Sequence, residues 1–291
     1  MTALPPPRKR FGQHFLRDAG VLRRMLAAAA VTDRDLVLEI GPGRGALTAF
    51  LIEQAGGVVA FELDRDLAAW LTARFANTRW RLHTGDVLAA DLPACITQGR
   101  ADFGLPEAPV KVVANLPYNV STPIIEKLLT VRGLLDDIVV MLQREVVQRL
   151  AAVPGTKDYG YFSVIVQAYC DVRRLFDVPP GAFQPPPKVV SSVVRLTPRT
   201  QSLVPPDLEH SFQRVVGVAF EQRRKMLGGV LTRFGLTRES VREALAAAGV
   251  APDARPETLS VEAFVRLTQA LAAQGCEVAV PSTAVAPTKA G

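Results

Sequence analysis

The chain of 291 residues is long enough for one large core, or for a main domain with a smaller companion. Its 48% hydrophobic and 21% charged content excludes the disordered and fibrous classes, and no apolar run reaches the eighteen residues of a membrane-spanning helix. A formal net charge of +6 with a pI near 9.5 points to a polyanionic partner without naming it. Arg8-Lys9-Arg10 is not followed by an apolar signal core, so a cytoplasmic location is expected. Cys95, Cys170 and Cys276 are widely spaced and form no Cys-x-x-Cys pair, which predicts neither a disulfide framework nor a metal site.

Taken in chain order, residues 1–20 read as a basic N-terminal arm. Phe11 and Phe15, interleaved with cations, fit a lid over a ligand and fit equally a solvated arm whose rings tuck into the core. Asp18 caps a predicted helix through Val21, Leu22, Met25 and Leu26. A first strand, residues 36–40, opens on Gly41-Pro42-Gly43-Arg44-Gly45 ahead of a helix over 46–54. Alternate glycines let the backbone turn tightly and approach a ligand closer than a Cβ permits. A second strand ends at Glu62, at the separation where a carboxylate takes ribose hydroxyls. Gly41-x-Gly43-x-x-Ala46 also fits a dinucleotide fingerprint, but Glu39 beside the loop suits a cationic ligand better than a pyrophosphate.

A third strand, 80–84, leads to Gly85-Asp86, where the carboxylate either accepts from an adenine amino group or merely caps a turn. Residues 91–109 are proline- and charge-rich and read as a connection. The next strand ends at Asn115-Leu116-Pro117-Tyr118. Proline removes a backbone donor and holds Leu116 extended, so carbonyls at the strand's end, with the Asn115 amide oxygen, are free to hold an exocyclic amine while Tyr118 offers a face for a planar base. The tetrapeptide alone also fits an ordinary strand-ending turn.

Downstream, 138–142 reads as a fifth strand, and 163–169 with 189–196 as an antiparallel pair closing a seven-stranded sheet. Between them, five prolines within 179–187 make a stiff loop that either presents Phe183 at a cleft rim or buries it in a rigid connector. From 204 the pattern turns helical, at 208–220, 225–234, 238–248 and 261–273. The expected division is a 21–203 Rossmann-like domain, a 204–275 helical domain and a floppy 276–291 tail. Arg223-Arg224-Lys225, with Arg8, Lys9, Arg10, Arg144 and Lys188, offers cations for a phosphate backbone, although charge runs are commonly plain solvated surface.

Glu39-x-Gly41-x-Gly43-x-Gly45, Glu62, Gly85-Asp86, Asn115-Leu116-Pro117-Tyr118, the 11–16 arm and Phe183-Gln184-Pro185-Pro186-Pro187-Lys188-Val189 together closely resemble the ribosomal RNA adenine N6,N6-dimethyltransferases, nearest the bacterial branch that acts on 16S rRNA. The resemblance runs from about residue 8 to about residue 274, and it departs at His14, where many relatives carry asparagine. It implies a class I α/β methyltransferase fold with a small C-terminal helical domain, and S-adenosylmethionine held by His14, Leu16, Gly41, Gly43, Glu62, Asp86 and Asn115. It implies catalysis by Asn115, Leu116, Tyr118 and Phe183, with the last two stacking on an extruded adenine. The partner implied is 16S rRNA within the small ribosomal subunit, met by a monomer with neither metal nor membrane. Two alternatives are a methyltransferase of 23S rRNA of the macrolide-resistance type and a noncatalytic RNA-binding assembly factor.

Overall fold

The computed structural model describes residues 4–8, 13–223 and 225–276. In chain order the elements are β1 (Phe15–Leu16), α1 (Ala19–Ala29), β2 (Leu36–Ile40), α2 (Ala46–Gln54), β3 (Gly57–Glu62), α3 (Arg65–Arg74), β4 (Trp80–Thr84), α4 (Leu92–Phe103), β5 (Val110–Asn115), α5 (Ser121–Thr130), β6 (Leu135–Gln143) and α6 (Arg144–Leu150). They continue with α7 (Tyr161–Tyr169), β7 (Cys170–Val178), β8 (Phe183–Gln184), β9 (Ser191–Pro198), α8 (Glu209–Glu221), α9 (Leu227–Arg233), α10 (Arg238–Ala247) and α11 (Val261–Ala273). The chain divides into two compact units: residues up to Gln148 with Cys170–Pro198, and Arg149–Tyr169 with the residues from Arg199 on.

The first unit carries a seven-stranded sheet in the order β4-β3-β2-β5-β6-β9-β7. Neighbours from β4 to β6 run parallel, and β9 runs antiparallel to both β6 and β7. Every residue of β2 and β3 is buried, as helices on both faces require. The direction of winding reverses between β2 and β5, and the carboxyl ends of those two strands carry the glycine turn and Asn115. Ligands of open α/β sheets bind at such a reversal.

Helix α1 closes one face. Asp18 accepts from the N–H groups of Gly20 and Val21, satisfying donors that the first turn leaves bare. Val21, Leu22, Met25 and Leu26 then pack in one cluster with Val139, Met141 and Phe183. Its C-terminus is pinned by Lys111, nearly buried in β5, whose Nζ donates to the Ala30 carbonyl at 2.7 Å and pairs with Asp35 at 3.1 Å.

Two segments differ from expectation. Residues 163–169 are helical, within α7, where a strand was expected. Ser163, Val164, Ile165, Val166, Ala168 and Tyr169 are all buried, and a short, mostly buried run carries too little periodicity to separate helix from strand. The helix belongs to the second unit: the Gln167 amide donates to the Leu150 and Ala152 carbonyls, and Tyr169 meets the Phe212 ring edge-on. The division at 203/204 is corrected accordingly, because 149–169 leaves the first unit and β7 replaces 163–169 beside β9. Residues 92–103, expected to be irregular, form α4. Pro93 sits in its first turn, where proline is tolerated, and Asp91 caps it. Gly99 lets α4 lie close on β3, since a Cβ there would come within 2.5 Å of Val59 Cγ2.

The second unit otherwise matches the predicted helices. Thr237 caps α10 through the Ser240 N–H and Ser260 caps α11 through the Ala263 N–H. Tyr159, Phe220 and Phe264 form its aromatic centre. The expected tail falls almost wholly on 277–291, outside the described residues. Among the described residues no helix is long and apolar enough to cross a membrane.

Replacing Lys111 by alanine leaves the Ala30 carbonyl and Asp35 without this partner. Urea denaturation is expected to show a loss of about 1–3 kcal/mol. A change within about 0.5 kcal/mol would show that the pin contributes nothing.

Candidate functional site

The carboxyl ends of β2, β3 and β5 border one pocket in the first unit, lined among others by His14, Leu16, Glu39, Gly41, Gly43, Glu62, Asp86, Asn115, Leu116 and Tyr118. Gly41 has φ +70°, and a Cβ there would lie 3.5 Å from Pro117 Cδ and 3.9 Å from the Asn115 carbonyl. The glycine turn and the strand-ending tetrapeptide therefore share a wall, as the sequence reading requires.

The Glu62 carboxylate is 6% exposed and accepts from the Gly43 N–H at 3.0 Å and the Asp64 N–H at 2.9 Å. Burial raises its pKa, and those hydrogen bonds oppose the rise. It keeps acceptor capacity for a ligand's hydroxyls. Glu39 is 1% exposed, and its Oε2 is buried without a hydrogen-bond partner. Burial pushes its carboxyl up to about 8, against the nearby Thr48 hydroxyl and with help from the Glu62 charge. Of the two jobs considered for Asp86, the structure shows the cap: one oxygen accepts from the Leu88 N–H at 2.9 Å, and the residue is exposed and lines the pocket.

The Asn115 amide is oriented by the arm. Its Nδ2 donates to the His14 carbonyl at 3.4 Å, which leaves Oδ1 buried and unpartnered on a residue of the pocket lining. A buried acceptor without a donor is costly, and an amine entering the pocket removes that cost. Because the bond uses the main chain of His14, it is indifferent to histidine replacing asparagine. The imidazole itself lies 2.9 Å, through Nδ1, from the Pro185 carbonyl and stacks on Tyr118 at 6.1 Å and 27°. Tyr118 is tied through its hydroxyl to Ser191. Burial raises its phenol pKa, so the ring face, and not the hydroxyl, is the part available for work.

Phe183 is a correction to the expected geometry. It is 2% exposed and packs in the cluster under α1, so in this structure its ring offers no face to the pocket. The reason is pairing: Leu16 and Phe183 face each other in the two-stranded ribbon of β1 and β8. That ribbon joins the arm to the proline-rich loop, two motifs that the sequence presents as unrelated.

The basic residues scatter in role. Arg8 pairs with Asp64 at 3.2 Å and also with Asp66, while Gln13 bridges the Arg8 N–H and the Asp64 carboxylate. Arg223 donates to the Thr156 and Lys157 carbonyls within the second unit. Arg144, Lys188 and Lys225 are exposed, and Lys9, Arg10 and Arg224 lie outside the described residues. Sequence reasoning missed Gln13, Asp64 and Ser191. Glu62-x-Asp64 ahead of α3 was legible as a cap, and Asp64 does accept from Asp66 N–H. Ser191 sends no signal, since its partner is remote in sequence.

The arrangement fits S-adenosylmethionine: two buried carboxylates suit a cationic ligand, a third carboxylate lines the same pocket, and the glycine turn admits close backbone approach. Comparison with known proteins agrees. The family model described as ribosomal RNA adenine dimethylase matches residues 6–273. The "Ribosomal RNA small subunit methyltransferase A" proteins of Nitrosococcus oceani and Pseudomonas putida are 49% and 46% identical, covering 90% and 92% of this chain and 95% and 96% of theirs. A crystal structure of a dimethyladenosine transferase from Plasmodium falciparum superposes with a TM-score of 0.77 at 24% identity, covering 91% of this chain and all of that one. The 23S rRNA methyltransferase ErmE gives 0.66 at 26%, covering 89% and 99%.

Arg8→Ala is expected to release the strap of Gln13 and the segment after it, weakening S-adenosylmethionine binding roughly 3–10-fold in calorimetry, as loss of a half-exposed ion pair would. Unchanged affinity would mean that the strap seals nothing.

Proposed function

From the premise that this chain belongs to the ribosomal RNA adenine dimethylase family, and so is an S-adenosylmethionine-dependent methyltransferase, we propose how its pocket acts on its target. It dimethylates N6 of two adjacent adenosines near the 3′ end of 16S rRNA, within the small ribosomal subunit and in the cytoplasm. The observation carrying the catalytic assignment is the buried Oδ1 of Asn115, without a hydrogen-bond partner on a residue that lines the pocket.

The bound cofactor supplies an electrophilic methyl group on a sulfonium. Glu62 takes the ribose hydroxyls and Asp86 the adenine amino group, while His14, Leu16, Gly41 and Gly43 shape the remaining wall. An adenine N6 lone pair is conjugated into its ring and is a poor nucleophile. Hydrogen bonds from N6 to Asn115 Oδ1 and the Leu116 carbonyl favour a pyramidal nitrogen and strengthen as positive charge develops there. The rest is orientation. No strong base is needed, since methylated N6 loses its proton readily to water. Tyr118, held by Ser191, stacks on the extruded base, a contact worth roughly 1–3 kcal/mol against an extrusion cost of a few kcal/mol. Phe183 serves as the second face only if it leaves the core. Arg144, Lys188 and Lys225 are the exposed cations best suited to phosphates.

The resemblance to ErmE keeps 23S rRNA as a second reading, which the names of the more similar relatives oppose. Purified protein with labelled cofactor, offered unmethylated small subunits, free 16S rRNA and 23S rRNA, is expected to label 16S within the subunit. Label on 23S alone would replace the proposal. Asn115→Ala is expected to lower kcat by about 100-fold or more while RNA binding in the presence of cofactor persists. Turnover at the parent rate would refute the assignment of Asn115.

A further inference from the structure

Glu39 does not feature in the catalytic scheme above, yet it lines the pocket, 1% exposed, with Oε2 buried and lacking any hydrogen-bond partner. The charged groups sharing that wall are Glu62 from the end of β3, Asp86 after β4 and Arg44 in the glycine turn. Arg44 is directed elsewhere: its guanidinium covers the Phe15 ring at 4.4 Å and donates to the Pro5 carbonyl. From α2 comes only the Thr48 hydroxyl, which cannot neutralise a charge. His14, on the arm, is occupied by Pro185 and Tyr118. Among the described residues, two buried carboxylates thus share a pocket whose one lining cation is engaged by Phe15 and Pro5, an arrangement that opposes ionisation of the more buried of them.

We propose that Glu39 is a specificity-determining residue that holds a proton in the ligand-free pocket and gives it up when a cationic methyl donor binds, so that the site distinguishes donor from spent product by charge. The proposal rests on the methyltransferase reading. One positive charge enters and one proton leaves to solvent, so the net charge of the site is conserved and no other bond changes. The neutral thioether product brings no charge, leaves Glu39 protonated and is held less tightly as pH rises relative to the donor. The carboxyl's displacement to about 8 agrees with a proton retained at neutral pH.

Titration calorimetry near pH 7, in buffers of different ionisation enthalpy, tests this with three probes that share one nucleoside and one amino-acid tail: S-adenosylmethionine, the amine analogue sinefungin and S-adenosylhomocysteine. The first two are expected to release nearly one proton each and the third almost none. The preference for donor over product should then climb by up to about tenfold per pH unit between 6 and 8. Glu39→Gln is expected to abolish both the release and the slope. Should that variant misfold, infrared difference spectra of the parent protein read the same event: a protonated-carboxyl band is lost with S-adenosylmethionine and kept with S-adenosylhomocysteine. Donor binding without proton release, equal release with all three probes, or release that survives in Glu39→Gln overturns the proposal and leaves the methyltransferase reading standing. Failure of all three probes to bind overturns both.

Discussion

The amide of Asn115 is the constraint on which the pocket turns. Its nitrogen end is taken by the His14 carbonyl, and its oxygen end is buried with nothing to accept. An amide cannot satisfy one end on a fixed partner and leave the other end idle without paying desolvation, so an incoming N–H at the strand terminus would lift that cost. Pro117 contributes by stopping the ladder just beyond, and the reversal of strand order between β2 and β5 sets the opening where two carboxyl ends diverge. The glycine turn and the Asn115 terminus therefore border one pocket.

Around that amide the molecule is wired through the backbone more than through side chains. Glu62 is fixed by two main-chain donors, one from the glycine turn and one from the start of α3. Asp64 in turn caps α3 and anchors Arg8 and Gln13. The arm, the end of β3 and the glycine turn are consequently one hydrogen-bonded assembly, with the Glu62 carboxylate at its junction. Such sharing explains why buried charge is tolerated here: each oxygen has a partner before a ligand comes. Glu39 is the exception, and its lone oxygen marks it as the group with something still to do.

Much of this was legible in the chain. Alternating glycines after an apolar strand, a carboxylate closing the next strand and a proline-halted tetrapeptide each have a local physical meaning, so their positions could be read without tertiary knowledge. What escaped reading was whatever depended on distant contact. Residues 163–169 are mostly buried, with Gln167 alone partly exposed, so little of the exposed face that would mark a helical period remains. The segment 92–103 is punctuated by Pro93 and Gly99, which mark loops elsewhere but here serve a first turn and a close crossing over β3. Phe183 was placed at a rim on family likeness, whereas its pairing with Leu16 draws it into the core. Arg8 looked like a phosphate contact until its acidic partners, far along the sequence, were in view.

The ribbon of β1 and β8 is only two residues deep on each side. So short a pairing has little register strength of its own and persists because Leu16 and Phe183 are both anchored in the core beneath it. Exchanged alone, an arm or a proline-rich loop would arrive without its complement, whereas the two transplanted as a pair would carry their fit with them.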